Sequence, residues 1–404
     1  MSTSLLYHAF GIRGYRYRST RHVEGATELV IEHDPARLRC PHCGSADVVG
    51  AGQVERRFRD LPIGSRPTCI VLAVQRLRCR KCETVRQAKL TFADERVRHT
   101  RGFERYALEL SRLTTIHDAA KHLGVSWDTV KDIQKRNLQQ RFRHIKLRHL
   151  KQIAIDEICV GKGHRYRTLV LDLDSGAVVY IGKGKGADSL DDFWKKLKAS
   201  HAKVEAVATD LSPAYILAVS KNLPKAVHVF DRFHVVKLYN DKLSDLRRQV
   251  QNAAVTVEQK KVIKGTRWLL LKNPGNLDPK RNEQQRLDDA LRLNRPLFVA
   301  YQLKEDLRQL WEQPDKDAAG AFLDDWIARA KVSGIPMLKT MANTLQLHRK
   351  GLLAWYDYRI STGPLEGTNN KIKTMQRQAY GYRDEEFYRL KIYALHEVKY
   401  ALVG

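Results

Sequence analysis

Nowhere does this chain string together the roughly 20 apolar residues that a membrane-spanning helix needs, so no such helix is expected. Its opening, Met1-Ser-Thr-Ser-Leu-Leu-Tyr-His-Ala-Phe10, lacks the basic start and long apolar stretch of a secretory signal. Cysteine is scarce, at six in 404 residues. Without an export signal, those six point to a reducing cytoplasm and to metal binding before disulfides. No internal repeat or low-complexity tract stands out, which argues against a solenoid. Acidic residues are also in short supply: 45 Asp+Glu face 72 Lys+Arg, a formal net charge of +27.

That imbalance is the first positive signal. Residues 1–150 hold 29 Lys+Arg and 15 Asp+Glu, a net of +14, so the basic excess is densest in this first part of the chain. A ribosomal or membrane-surface protein can be equally basic, but a polyanion such as DNA is the first expectation. A hydrophobic fraction of 43% fits a globular protein, and the length suits two to four domains.

Cys40-Pro-His-Cys43-Gly44 and Cys79-Arg-Lys-Cys82 form two C-x-x-C knuckles. Each presents two thiolates, so Cys40, Cys43, Cys79 and Cys82 together fit a closed structural zinc site with no open coordination position. Cys69 and Cys159 have no partner at ligand spacing and are expected in the core, while His42 is expected to face solvent. Further on, the stretch from Thr115 to Arg136 fits a helix-turn-helix. Leu123, Val125, Val130 and Ile133 take core positions, Gly124 the turn and Ser126 the cap of the second helix. That helix would present Trp127, Asp128, Lys131, Lys135 and Arg136 to a DNA groove and its phosphates. The basic run Arg141–His149 reads as a linker touching the DNA backbone.

From residue 151 the pattern changes to three strands, a helix, a strand, a helix and a strand, which is the order of an RNase H-like sheet. Asp156 and Asp210 each end an apolar run in it, and Glu366 sits at a helix opening in Gly363-Pro-Leu-Glu-Gly-Thr-Asn-Asn-Lys-Ile-Lys373. Two strand-end aspartates and a helical glutamate can converge on two divalent ions, a pair suited to phosphodiester chemistry. At about 100° per residue, Asn369, Asn370, Lys373 and Arg377 share the stripe of Glu366, as auxiliary or phosphate-contacting groups. Glu157 should point away from Asp156 across the strand. Asp231 is the main rival ligand, and with His234 it is assigned a supporting or DNA-positioning role.

On these motifs, with Arg59-Asp-Leu-Pro62 between the cysteine pairs and Asp231-Arg-Phe-His234 downstream, the chain resembles the ISL-three family of bacterial insertion-sequence DDE transposases. The resemblance implies Asp156, Asp210 and Glu366 as catalytic acids holding two magnesium (or manganese) ions, with Lys373 as the basic residue after the glutamate. It also implies cleavage at element ends, joining of the freed 3′-hydroxyl to target DNA, and a homodimer or larger assembly on DNA. The zinc and helix-turn-helix modules would find the terminal inverted repeats.

The expected organisation is a multidomain α/β chain: a zinc-ribbon-like β module (1–98), a helix-turn-helix with basic linker (99–150), and an RNase H-like catalytic domain (151–240). A helical insertion (241–355) and closing helices (356–404) complete it. Trp268 in the insertion is expected in a helical core, with stacking on a displaced base as its other use. The competing functions are a non-catalytic DNA-binding regulator derived from a transposase and a structure-specific nuclease. A regulator has no need to keep all three acids, and a nuclease none for a sequence-reading N-terminus.

Overall fold

The structure, a computed structural model, describes residues 5–161, 163 and 165–397; the outermost residues of the first and last expected domains fall outside that range. The chain forms two compact units, one running to Arg143 and the other from His144 to Glu397.

The first unit opens with α1 (Leu5–Phe10) and a sheet of β1 (Tyr15–Val23), β2 (Ala26–His33), β3 (Val48–Ile63), β4 (Arg66–Cys79) and β5 (Val85–Gln87). The strand order is β1-β2-β4-β3, with β5 also paired to β4. Alternation along β4 buries Thr68, Ile70, Leu72 and Val74, as expected of a sheet with one covered face. The long β3–β4 hairpin pairs Val48 with Cys79, which brings the two cysteine knuckles to the same end of the sheet. Three helices follow: α2 (Arg101–Leu110), α3 (Ile116–Leu123) and α4 (Trp127–Arg141). They close around Phe103, Ala107, Ala119, Ala120, Leu123, Val130 and Ile133.

The second unit contains β6 (Gln152–Gly161), β7 (Arg165–Asp172), β8 (Val178–Lys183), α5 (Asp191–Ser200), β9 (Ala206–Thr209), α6 (Pro213–Asn222) and β10 (Val227–Phe230). Its sheet runs β10-β9-β6-β7-β8, with β6, β9 and β10 parallel and β7 and β8 antiparallel. This is the RNase H-like arrangement. Ile153, Ile155, Val207, Phe193, Leu197 and Tyr215 form its core. Leu147 and Leu150 are buried in that same core, so the basic run is anchored to this unit by its apolar residues and is not a free linker.

Next, α7 (Arg232–Ala253) continues unbroken past residue 240, so the all-helical stretch begins at Arg232 and the expected boundary between residues 240 and 241 falls inside a helix. It leads to α8 (Val257–Lys264), α9 (Arg267–Leu271), α10 (Glu283–Leu293), α11 (Arg295–Arg308), α12 (Lys316–Val332), α13 (Pro336–Leu347) and α14 (Arg349–Leu353). Among the described residues this stretch contains no strand. Its own core centres on Tyr239, Trp326 and the leucines around them; the Trp326 Nε1–H donates to the Leu303 carbonyl at 2.8 Å. Gly351 fixes where α14 meets the sheet, because a Cβ there would fall 2.4 Å from the Phe230 ring. The chain closes with α15 (Gly363–Gln378) and α16 (Glu385–Tyr393). No helix among the described residues is long and apolar enough to cross a membrane.

Candidate active site, zinc centre and DNA-binding elements

The zinc centre is built by two tight turns. In the first, the Gly44 N–H donates to the Cys40 carbonyl and the Cys40 N–H to the Ser45 carbonyl, each at 2.9 Å. Gly44 has φ +73°, which a residue with a side chain rarely adopts. Across the site, the Cys40 and Cys82 sulfurs lie 3.7 Å apart and those of Cys43 and Cys79 3.5 Å apart. All four sulfurs lie within 4.8 Å of one another. A tetrahedral zinc with bonds near 2.3 Å separates its sulfurs by about 3.8 Å, so the donor set fits zinc. The Cys43 backbone N–H aimed at Cys40 pulls that thiol down to about 6, which favours the ligating thiolate. His42 is exposed as expected. Cys159 is not a core cysteine: it is exposed toward the far end of β6, although it shares the face of Ile153 and Ile155.

In the helix-turn-helix, Thr115 caps α3, Gly124 closes it at φ +61°, and Ser126 caps α4 by accepting from the Thr129 N–H at 3.3 Å. Trp127 is 52% exposed, with the Lys131 ammonium 5.2 Å from its ring centroid and 3.2 Å from Asp128. These three residues therefore form one cluster at the start of α4, with Trp127 and Asp128 exposed and Lys131 half-buried. Lys135 is half-buried. Arg136 stays exposed but is tied to α2, donating to Glu104 at 2.7 Å and lying 3.0 Å from His99. The sequence signal for an outward Arg136 was helical spacing, which does not reveal an acid waiting on α2.

The acid site lies where β9 stops. Pairing of β6 with β9 ends at Ala154↔Ala208, while β6 itself runs on beside β7. Asp156 is thus inside a strand and not at its end, but it lies just past the last β9 partner, next to Asp210. Burial, with the charges of Glu157 and Asp210 adding to it, pushes Asp156 up to about 6. Glu157 turns to the opposite face, toward Tyr215 on α6, and burial together with Asp210 raises its pKa as well. Asp210 accepts from the Ser212 N–H at 2.9 Å, a turn that feeds the chain into α6.

From the other side α15 docks on β6. Asn369 Nδ2 donates to Asp156 Oδ2 at 3.1 Å, and Gln376 Nε2 donates to the Val160 carbonyl at 2.6 Å. Glu366 is one turn before Asn369 and is exposed. Asn370, Lys373 and Arg377 are also exposed on this helix, and Arg377 reaches Thr374 at 3.4 Å. Among the described residues, only the four cysteines draw three or more ligating side chains within 4.8 Å of one another, so the three acids are not drawn up that closely. Three carboxylates without a counter-charge repel, which is reason enough for an open arrangement.

Asp231 caps α7 and is buried, with its carboxylate accepting from the Thr362 hydroxyl and lying 3.4 Å from His234 Nδ1. Burial opposes a charge on His234, but the bond to Asp231 and the charges of Asp156 and Asp210 outweigh it and raise its pKa. Conversely, burial would raise Asp231, yet His234 and Thr362 hold it down. Thr362, Tyr215 and Gln376 were not legible as site residues, because each acts through tertiary contacts that no local spacing announces. Trp268 departs from its expected core position: it is 66% exposed on α9, with the Arg267 guanidinium 4.8 Å over its ring.

Three family models match the chain in the order of these modules. The zinc-finger of transposase IS204/IS1001/IS1096/IS1165 matches residues 36–82, and the helix-turn-helix domain of transposase family ISL3 matches 88–136. The ISL3 model described as transposase matches 153–392. Among curated relatives, the transposase for insertion sequence element IS1001 of Bordetella parapertussis is 34% identical over 360 residues, covering 88% of each chain. The transposase for IS1557 of Mycobacterium tuberculosis is 28% identical, covering 86% of this chain and 83% of the relative. A solved Drosophila P element transposase strand transfer complex aligns with 74% of this chain and 92% of that one, at 10% identity and a TM-score of 0.38. With one transposase model matched over more than half its length and a relative 34% identical along most of it, this chain belongs to the ISL3 family of transposases.

Proposed function

We propose that this protein binds the terminal inverted repeats of an insertion sequence, cuts phosphodiester bonds at the element ends and joins the freed 3′-hydroxyl to target DNA. The observation that carries the catalytic part is the docking of α15 on β6. The Asn369–Asp156 bond ties to an aspartate that neighbours Asp210 a helix that carries Glu366 one turn before Asn369.

Asp156, Asp210 and Glu366 supply hard oxygen donors of the kind that Mg²⁺ and Mn²⁺ prefer, and Asn369, whose amide nitrogen bonds Asp156, has a buried amide oxygen without a partner. Two such ions, when bound, activate the attacking oxygen and stabilise the leaving one. The protein's own groups do the rest. Lys373, Arg377 and Asn370 line the exposed side of α15 and would hold phosphates in register. Asp231, fixed by Thr362, orients His234 toward the acids. Trp127, Asp128 and Lys131 are the α4 groups best placed to meet a groove, with Lys135 beside them and Arg136 bracing the fold. Trp268, exposed and stacked under Arg267, suits the stacking of an unpaired base better than it suits a core. A homodimer or larger assembly on DNA follows from the need to hold two ends together.

The test is cleavage of a duplex carrying the element's own terminal repeat, with magnesium, by the wild type and Glu366→Gln. Cutting by the wild type alone supports the reading. Tight binding with no cutting by either protein, in magnesium or manganese, would favour a regulator.

A further inference from the structure

Asn369 is 8% exposed and sits between α15 and the acid site. Its amide nitrogen donates to Asp156 Oδ2 at 3.1 Å, while its amide oxygen is buried with no hydrogen-bond partner. The orientation follows from chemistry. An ionised carboxylate only accepts, so the atom facing Asp156 must be the NH₂, and the oxygen is the end left over. A buried amide oxygen without a partner costs free energy unless something fills its place. Here that place borders Asp156, whose neighbours Glu157 and Asp210 are also acidic.

We propose that Asn369 is part of the divalent-cation site, holding Asp156 in its ligating orientation through the amide nitrogen and offering the amide oxygen to the ion as a neutral ligand. This rests on the three-acid reading above and gives Asn369 a role at the ion in place of one on the DNA. Oxygen ligands of hard cations include asparagine carbonyls as well as carboxylates. A fourth carboxylate at this position would add repulsion to a site that already gathers acids, whereas an amide completes the donor set at no charge. The same side chain that docks α15 thus also joins the ligand set, which ties arrival of Glu366 to the shape of the ion site.

The experiment is Mn²⁺ binding by the zinc-loaded full-length chain without DNA, followed through the free-ion electron paramagnetic resonance signal. The proteins are wild type, Asn369→Ala, Asn369→Asp and Asp156→Asn. Asn369→Ala is expected to weaken Mn²⁺ binding about tenfold, the usual scale for losing a group that supports a metal ligand. Asn369→Asp keeps an oxygen donor but loses the N–H to Asp156, and is expected to bind Mn²⁺ more tightly than Asn369→Ala, with a larger rise in melting temperature on adding the ion than that variant shows. A purely packing role predicts that both substitutions fail alike, and that result would overturn the proposal. So would wild-type affinity in Asn369→Ala alongside a loss in Asp156→Asn, which leaves the three-acid reading standing. Wild-type affinity in Asp156→Asn as well would sink that reading and this proposal together.

Discussion

The four cysteines of the zinc centre already lie with their sulfurs within 4.8 Å of one another, held by backbone turns at the end of one hairpin. The three acids come from two strands and a distant helix, stay apart, and leave Glu366 exposed. On the function proposed above, the contrast is one of purpose. A structural site is closed by its own ligands and stabilises the fold, while a catalytic site must stay open for an ion and a substrate. The closed site is also local, with ligand pairs two residues apart, whereas the open one spans from Asp156 to Glu366.

The largest effect that can break this comparison is removal of zinc. Chelation, or Cys82→Ser, is expected to unfold the sheet that carries the knuckles and to cut repeat binding by at least about 100-fold. Helical circular dichroism from the second unit should persist. Wild-type repeat binding after chelation would show that the centre does not hold the fold.

After that loss of fold comes Asp210→Asn, whose effect is confined to chemistry: it is expected to lower cleavage on the order of 10³-fold while repeat binding stays within about twofold. Unlike the cysteines, Asp210 supports little of the fold beyond the turn to Ser212, so its melting temperature should hold. A large fall in stability would mean that the acid site is as structural as the zinc site.

A smaller effect separates the two kinds of site by pH. Asp60 is fully buried and burial pushes it up to about 6, against the hydrogen bonds from Thr100 and the Leu61 N–H. Its folded-state value lies above its unfolded one, so the folded chain keeps a proton that the unfolded chain releases between about pH 4 and 6. Wild-type stability relative to Asp60→Asn should therefore fall as pH rises through that window, by at most about 3 kcal/mol, and level off above it. Denaturant unfolding at pH 4, 5, 6 and 7 checks this, and a flat difference would refute it.

Legibility in the sequence followed the same divide. The knuckles, the Gly124 turn, the Ser126 cap and the strand order could be read because each depends on spacing along the chain. The tie of Arg136 to Glu104, the exposure of Trp268 and Cys159, and the burial of Leu147 and Leu150 could not. Each is decided by a partner, or the lack of one, far away in sequence. For the acids, the run Ile153-Ala-Ile-Asp156 reads as a strand ending at Asp156, but β6 continues past it because β7 remains as a partner after β9 stops.

The smallest expected effect concerns how the closed site serves DNA binding. Arg59, on β3, donates through Nη2 to the Leu123 carbonyl at 2.7 Å, at the end of α3 where the turn to α4 begins. Its backbone also pairs with the segment entering α2, through Arg98 and Thr100. A cation at a helix C-terminus satisfies a carbonyl that the helix leaves unpaired and complements the helix dipole. The zinc-bearing sheet thereby sets the angle of the helix-turn-helix, which a zinc site acting at a distance could not do. Arg59→Leu removes that bond without touching a cysteine and should cost about 1–3 kcal/mol of stability. Repeat binding should drop about tenfold, with zinc content and helix content unchanged. Binding by this variant at the wild-type level would mean that the two modules act independently, and that the order built at the cysteines stops at the sheet.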